Sequence, residues 1–173
     1  MKARPLKLPT KSLRAREEGK LLWNEARSVE KADFFTFGYE GRKSDEIFSA
    51  LQSAGVQCVL DIRYTPVSMY RPELSKSNLR NRLAASGIEY VHIKEWGVPR
   101  DVRALAVESG TRVTIWDWYD KSVVHPNFNR NLHRFLNLGY PVAMMCVECD
   151  PTECHRHRIF IALEAQGLRG FDL

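Results

Sequence analysis

From Phe34 onward, short runs of apolar residues alternate with segments in which apolar residues recur at helical spacing. The runs predict strands at 34–37, 56–62, 88–93 and 141–147, and a last short strand at 171–173. The spaced segments predict helices that begin at Ser44, Ser77 and His155 and that end at Gly55, Gly87 and Gly167. Two further helices are predicted, a short one at 102–107 and a longer one at 126–138.

Strands that are apolar throughout and separated by helices are typical of a parallel sheet buried on both faces. We therefore expect an α/β fold, with a single domain built on a mainly parallel sheet and helices on both faces. A further helix is predicted at 10–29, with Ser12 as its cap. The chain then divides near residue 31, into a basic helical N-terminal arm at 1–31 and an α/β domain at 32–173.

The charge of the chain is unevenly distributed. Residues 1–31 carry nine Lys or Arg and four Glu, which accounts for the whole net charge of +5. A basic arm can contact phosphates, so this segment favours a nucleotide or nucleic acid as partner. The alternative is that the predicted helix of the arm docks on the body of the protein.

The apolar runs are too short to span a bilayer, and the N-terminus lacks the apolar core of a signal peptide. We therefore expect a cytoplasmic protein without membrane contact, and free thiols rather than disulfides. The sequence gives no indication of the oligomeric state.

Polar and aromatic side chains follow four predicted strands in succession. In open parallel sheets, ligands bind outside the carboxyl ends of the strands, so these positions predict a site. The candidates are Tyr39 after the first strand, Asp61 and Arg63 after the second, His92 and Trp96 after the third, and Glu148, Cys154, His155 and Arg156 after the fourth.

The motifs at these strand ends resemble a bacterial and archaeal family known as domain of unknown function four-eight-eight. They are Thr-Phe-Gly-Tyr at 36–39, Asp-Ile-Arg at 61–63, Tyr-Val-His-Ile-Lys-Glu-Trp-Gly at 90–97, and Cys-Val-Glu at 146–148 followed by Cys-His-Arg at 154–156. The resemblance covers 34–173 and implies a single cytoplasmic α/β domain whose motif residues form one site. It implies no reaction. Val98 departs from the family, which usually has a second glycine there, and Cys149 and His157 lie outside the shared pattern.

Residues 146–157 hold three of the four cysteines and two of the five histidines. Structural zinc usually takes its four ligands from two separated pairs, and no second pair is present, so we expect no cofactor and keep zinc as the weaker alternative. Asp150, Pro151 and Glu153 favour the start of a helix. Cys154, beside His155, is either a thiolate nucleophile or a buried packing residue.

Carboxylates at neighbouring strand ends can activate water, which suits hydrolysis of a glycosidic or phosphoester bond. We therefore expect a hydrolytic enzyme acting on a nucleotide or nucleic acid. The predicted catalytic residues are Asp61, Glu148 and His155. The predicted substrate-binding residues are Tyr39, Arg63, His92, Trp96, Cys154 and Arg156. The alternative is a non-catalytic module that binds nucleic acid or protein, in which the Cys, His and Arg residues form a structural latch.

Overall fold

The computed structural model describes residue 8, residues 11–126 and residues 141–173. In these ranges, five strands form one sheet: β1 (Phe34–Gly38), β2 (Cys58–Asp61), β3 (Glu89–His92), β4 (Val142–Cys146) and β5 (Gly170–Asp172). Their spatial order is β3-β2-β4-β1-β5, and every neighbouring pair is parallel. The predicted α/β fold with a mainly parallel sheet is thus confirmed.

The described α-helices are α1 (Leu13–Asn24), α2 (Ser44–Ser53), α3 (Lys76–Ala85), α4 (Arg100–Ser109), α5 (Val113–Tyr119) and α6 (Arg156–Glu164). Single turns of 3-10 helix lie at Val29–Lys31, Pro72–Leu74, Lys94–Trp96 and Pro151–Glu153, and a π-helical turn, Asp120–Val124, continues α5. Helix α5 was not predicted from the sequence. The predicted helix at 126–138 lies outside the described residues from position 127 onward.

Side chains alternate between the two faces of the sheet, as expected for buried strands. Along β4, Val142, Met144 and Cys146 enter one cluster of buried residues, and Ala143 and Met145 enter the other. Apolar residues of α4, α5 and α6 complete the first cluster, and those of α2 and α3 complete the second. The expected helices on both faces are therefore present.

The strand order opens a crevice at the carboxyl edge of the sheet. Strand β4 lies between β1 and β2. The chain leaves β1 and β2 toward α2 and α3 on one face, and it leaves β4 toward α6 on the other face. Because neighbouring exits turn to opposite faces, the loops separate above the central strands, which is where open α/β sheets bind ligands.

Helix α1 of the basic arm docks on the body. Its Ser12 hydroxyl caps the helix by accepting a hydrogen bond from the Ala15 backbone N–H, as the sequence predicts. Four cations of the arm pair with carboxylates of the body: Lys11 with Asp150, Arg16 with Glu40, Lys20 with Asp172 and Arg27 with Glu164. Docking therefore uses positive charges that the sequence analysis assigned to phosphate contacts. The domain boundary near residue 31 stays a prediction.

Among the described residues, none of the helices combines the length and the apolar character that crossing a lipid bilayer requires.

His157 lies buried in α6 between two tryptophans. Its ring centroid is 4.7 Å from that of Trp116 and 6.3 Å from that of Trp23, and its Nδ1 donates to the Cys154 carbonyl oxygen at 2.5 Å. Burial is the main cause that lowers the pKa of His157 to about 4. The imidazole is therefore neutral in the folded protein at neutral pH and is a packing residue.

The lowered pKa of His157 predicts a loss of stability in mild acid. In the unfolded chain the imidazole is protonated below its ordinary pKa of 6.5, whereas in the folded protein it is protonated only below about pH 4. The free energy of unfolding therefore decreases as the pH falls from 6.5 to about 4. We expect about 3 kcal/mol across the window. Urea unfolding at about pH 7 and at about pH 4 measures the difference.

The substitution His157→Asn keeps a donor for the Cys154 carbonyl and removes the titration, so it should flatten this part of the pH profile. His125→Asn, at an exposed position, is the control and should follow the wild type. A His157→Asn profile as steep as that of the wild type would contradict this assignment.

Candidate functional site

A cavity of about 280 Å³ occupies the crevice at the carboxyl edge of the sheet. Its floor is formed by residues that follow the central strands: Tyr39 after β1, Arg63 and Tyr64 after β2, and Cys146, Val147 and Glu148 at the end of β4. Its walls come from α4 and α5 on one side and from the loop after β2 on the other. The strand-end position that the sequence predicted for the site is therefore the position of this cavity.

Glu148, His155 and Cys146 meet on the floor of the cavity. The Cys146 thiol lies 3.6 Å from Glu148 Oε2, and its Sγ is 3.8 Å from His155 Nδ1. His155 Nε2 lies 3.2 Å from the Ile62 carbonyl oxygen, which fixes the imidazole against the end of β2. The floor thus combines a carboxylate, an imidazole and a thiol in mutual contact.

The electrostatics of this floor favour an ionised carboxylate beside a charged imidazole. Burial alone would raise the pKa of Glu148. His155, the backbone N–H of Glu148, the Cys154 thiol and Arg156 lower it by more than burial raises it, so the net shift is downward. Burial alone would lower the pKa of His155, but Cys154, Glu148 and the Ile62 carbonyl raise it. The two shifts reinforce each other because each charge stabilises the other.

Asp61 is enclosed rather than exposed to the cavity. Its carboxylate is 0% exposed and accepts hydrogen bonds from Arg63 Nε at 2.9 Å, Arg63 Nη2 at 2.6 Å and the Tyr90 hydroxyl at 2.7 Å. Arg63 Nη2 also donates to the Leu74 carbonyl, and its guanidinium lies 5.5 Å from the Tyr39 ring centroid. Asp61 therefore holds Arg63 at the cavity edge instead of facing a substrate.

Arg156 has the geometry of the latch that the sequence analysis kept as an alternative. It is 0% exposed and does not line the cavity. Its Nε donates to Asp172 Oδ1 at 3.0 Å and its Nη2 to Asp172 Oδ2 at 3.2 Å, while Nη1 and Nη2 reach the carbonyl oxygens of Glu148 and Cys149. Arg156 thus ties the loop after β4 to strand β5.

Three other predicted substrate contacts also lie away from the cavity surface. Trp96 is 4% exposed in the core, and its carbonyl oxygen accepts a hydrogen bond from the Tyr119 hydroxyl. His92 Nε2 bonds the Arg63 carbonyl at 2.9 Å, below the cavity edge. Cys154 is 1% exposed and lies beneath His155 and Glu148. The structure therefore brings Tyr39, Arg63, Glu148 and His155 of the predicted set onto the cavity surface.

Sequence reasoning missed the walls of the cavity. Arg103 of α4, together with Arg112 and Trp116 at α5, lines one side, and Tyr64 lines the other. Nothing in the sequence around Arg103 or Arg112 distinguishes them from other surface arginines. For Tyr64 a signal was available, because it directly follows Arg63 at a strand end.

Val98, the departure from the family pattern, lies on the cavity wall. It is 4% exposed, and its carbonyl oxygen accepts from Arg103 Nε at 3.1 Å and from Nη2 at 2.9 Å. The preceding Gly97 is packed so closely that an added Cβ would lie 2.3 Å from the Tyr64 backbone nitrogen. Val98 therefore places a side chain in the cavity where a glycine would leave space.

An open parallel sheet with a cavity at the strand ends defines this chain as an α/β protein with a candidate active site. A family model described as domain of unknown function DUF488 matches residues 43–163, and the chain belongs to that family. The resemblance stated from the motifs is thereby confirmed. Searches of curated proteins and of solved structures each found no match.

Proposed function

We propose that the protein is an enzyme that hydrolyses a glycosidic or phosphoester bond of a nucleotide held in the strand-end cavity. The observation that carries this proposal is the meeting of Glu148, His155 and Cys146 on the floor of a cavity whose walls are arginine and aromatic side chains. An acid–base pair with opposed pKa shifts in a cleft is typical of a catalytic site.

Arg103 supports an anionic substrate. Among the described residues it pairs with no carboxylate, and two of its five N–H donors, one on Nε and one on Nη2, go to the carbonyl oxygen of Val98 at the cavity wall. Arg112, by contrast, lies 3.9 Å from Glu153, so its charge is partly compensated. An arginine that faces a cavity without a carboxylate partner can bind phosphate through two donors.

Tyr64 and Trp116 support a substrate that carries a ring. Both are half-buried and line the cavity. Aromatic side chains placed in this way can stack a nucleobase. The volume of about 280 Å³ lies near the lower end for small-molecule pockets, which favours a nucleotide over a nucleic-acid strand.

In the proposed reaction, Glu148 takes a proton from a water molecule as the water oxygen bonds to the carbon or phosphorus of the scissile bond. The bond to the leaving group breaks, and Glu148 returns the proton to the leaving atom. The raised pKa of His155 keeps positive charge beside the charge that develops in the transition state. Asp61 acts as a positioning residue that orients Arg63.

The test is turnover of a panel of nucleoside mono-, di- and triphosphates, with short RNA and DNA strands as a second arm, followed by chromatography of the products. Glu148→Gln should lower kcat/KM by about 100-fold or more, because the amide cannot accept the proton. The affinity for the substrate should change far less, since Arg103 and the aromatic walls remain.

Glu95→Gln is the matched control, because Glu95 is an exposed carboxylate after β3 at the same edge of the sheet and does not line the cavity. It should keep the wild-type rate. Full activity in a folded Glu148→Gln protein would rule out the catalytic role. Tight binding of a nucleotide or strand without turnover in the wild type would favour the non-catalytic binding module.

A further inference from the structure

Two buried thiols and an imidazole converge beneath the cavity floor. The Sγ atoms of Cys146 and Cys154 and a ring nitrogen of His155 all lie within 4.8 Å of one another. The two cysteines are 3% and 1% exposed. Cys149, the third cysteine of this segment, lies outside this group, and its backbone N–H donates to Glu40.

We infer that Cys146, Cys154 and His155 bind a zinc ion whose fourth position opens toward the cavity. Zinc bonds of about 2.0–2.3 Å in a tetrahedron place neighbouring donor atoms about 3.5–3.8 Å apart. Cys146 Sγ lies 3.8 Å from His155 Nδ1, close to that spacing. Cys154 Sγ lies within 4.8 Å of the donor atoms of both Cys146 and His155, so it completes the set.

The surroundings of His155 also fit a metal ligand. When its Nε2 carries the proton, it donates to the Ile62 carbonyl oxygen 3.2 Å away, and Nδ1 keeps its lone pair. Cys146 Sγ lies 3.8 Å from Nδ1 and 3.9 Å from Nε2. A backbone carbonyl that accepts from the second ring nitrogen is the usual outer partner of a metal-bound histidine, because it fixes the tautomer and the ring. The Tyr119 ring, 5.1 Å from the imidazole, packs against it from the core.

The donor set selects zinc among the common divalent cations. Two thiolates and an imidazole are soft or borderline ligands, which magnesium and calcium do not prefer. Three protein ligands with a fourth position toward a cavity are the arrangement of catalytic zinc sites, in which the fourth position takes water or substrate. The inference goes beyond the proposed function: bound zinc would take the place of the proton on His155 as the positive charge beside Glu148.

The test uses the full chain, purified rapidly under reducing conditions from cells grown with added zinc. Elemental analysis should find about one zinc per chain. Replacement with Co²⁺ should give thiolate-to-cobalt charge-transfer absorption and the intense visible bands of tetrahedral cobalt. Cys146→Ser and His155→Gln should each lower the zinc content and shift these bands, because each removes one ligand.

Cys149→Ser is the matched control, since Cys149 is equally buried and lies outside the cluster, and it should keep the metal. If a ligand variant fails to fold, chelator titration of the wild type, followed by zinc uptake measured by calorimetry, gives the same answer. Folded wild-type protein that takes up neither zinc nor cobalt overturns the inference, as does a Cys146–Cys154 disulfide in the reduced preparation. Metal content is measured without any substrate turnover. A negative result for zinc therefore leaves the proposed hydrolytic function open to its own test, and the reverse also holds.

Discussion

Replacing Arg156 with methionine should lower the free energy of unfolding by about 3–5 kcal/mol. The substitution keeps the length and apolar stem of the side chain and removes the guanidinium that pairs with Asp172, where both partners are 0% exposed. It also leaves the carbonyl oxygens of Glu148 and Cys149 without their donor. Urea unfolding followed by circular dichroism measures the loss.

Arg169→Met is the control for this prediction. Arg169 makes a pair of the same bidentate form with Asp33, but the pair lies at the surface, where water screens it. Its loss should leave the unfolding midpoint nearly unchanged. The double substitution Arg156→Met with Asp172→Asn should recover part of the stability, because it removes the buried unpaired charge. Equal effects of Arg156→Met and Arg169→Met would contradict the structural role of Arg156.

Replacing Gly38 with alanine should destabilise the protein by about 3 kcal/mol or more and should also abolish turnover. A Cβ at this position would lie 1.7 Å from the Glu148 carbonyl oxygen and 2.5 Å from its carbon. These are backbone atoms, so no side chain can turn aside to make room. The backbone of residue 148 must move, and the Glu148 carboxylate moves with it.

Gly55→Ala separates this clash from the general cost of replacing a glycine. Gly55 has a φ of +68° and nothing within 4 Å of an added Cβ, so its replacement costs about 1–2 kcal/mol through backbone strain alone. It should leave turnover intact. Stability and activity are measured on both variants. A Gly38→Ala protein with wild-type turnover would contradict the close packing of β1 on the loop after β4.

The sheet could be predicted because its strands obey a local rule. Val59, Leu60 and Met144 lie in runs that are mostly apolar, as expected for strands covered on both faces. Helix α5 escaped prediction because Trp116 and Trp118 disturb its apolar spacing, and their half-buried positions follow from packing against other elements. Contacts with distant segments therefore stabilise α5, and the local sequence pattern does not show these contacts.

The location of the candidate site could be predicted from the sequence more readily than the role of each of its residues. Strand-end positions placed Glu148 and Asp61 at the same edge of the sheet, and both are there. Whether each faces solvent or a partner depends on side-chain neighbours from distant segments. Asp61 is enclosed by Tyr90 from β3, and Arg156 is enclosed by Asp172 from β5. No spacing along the chain reveals such partners.

The contact between Gly38 and the Glu148 backbone separates a rigid part of the site from an adaptable one. The ends of the neighbouring strands β1 and β4 touch there with no side chain between them. The sheet itself therefore sets the position of the Glu148 carboxylate. The helical wall has no such restraint, since Arg103 is exposed and Trp116 is half-buried. Laboratory evolution toward a new substrate would therefore accumulate its changes on α4 and α5, while the chemistry beneath them stays in place.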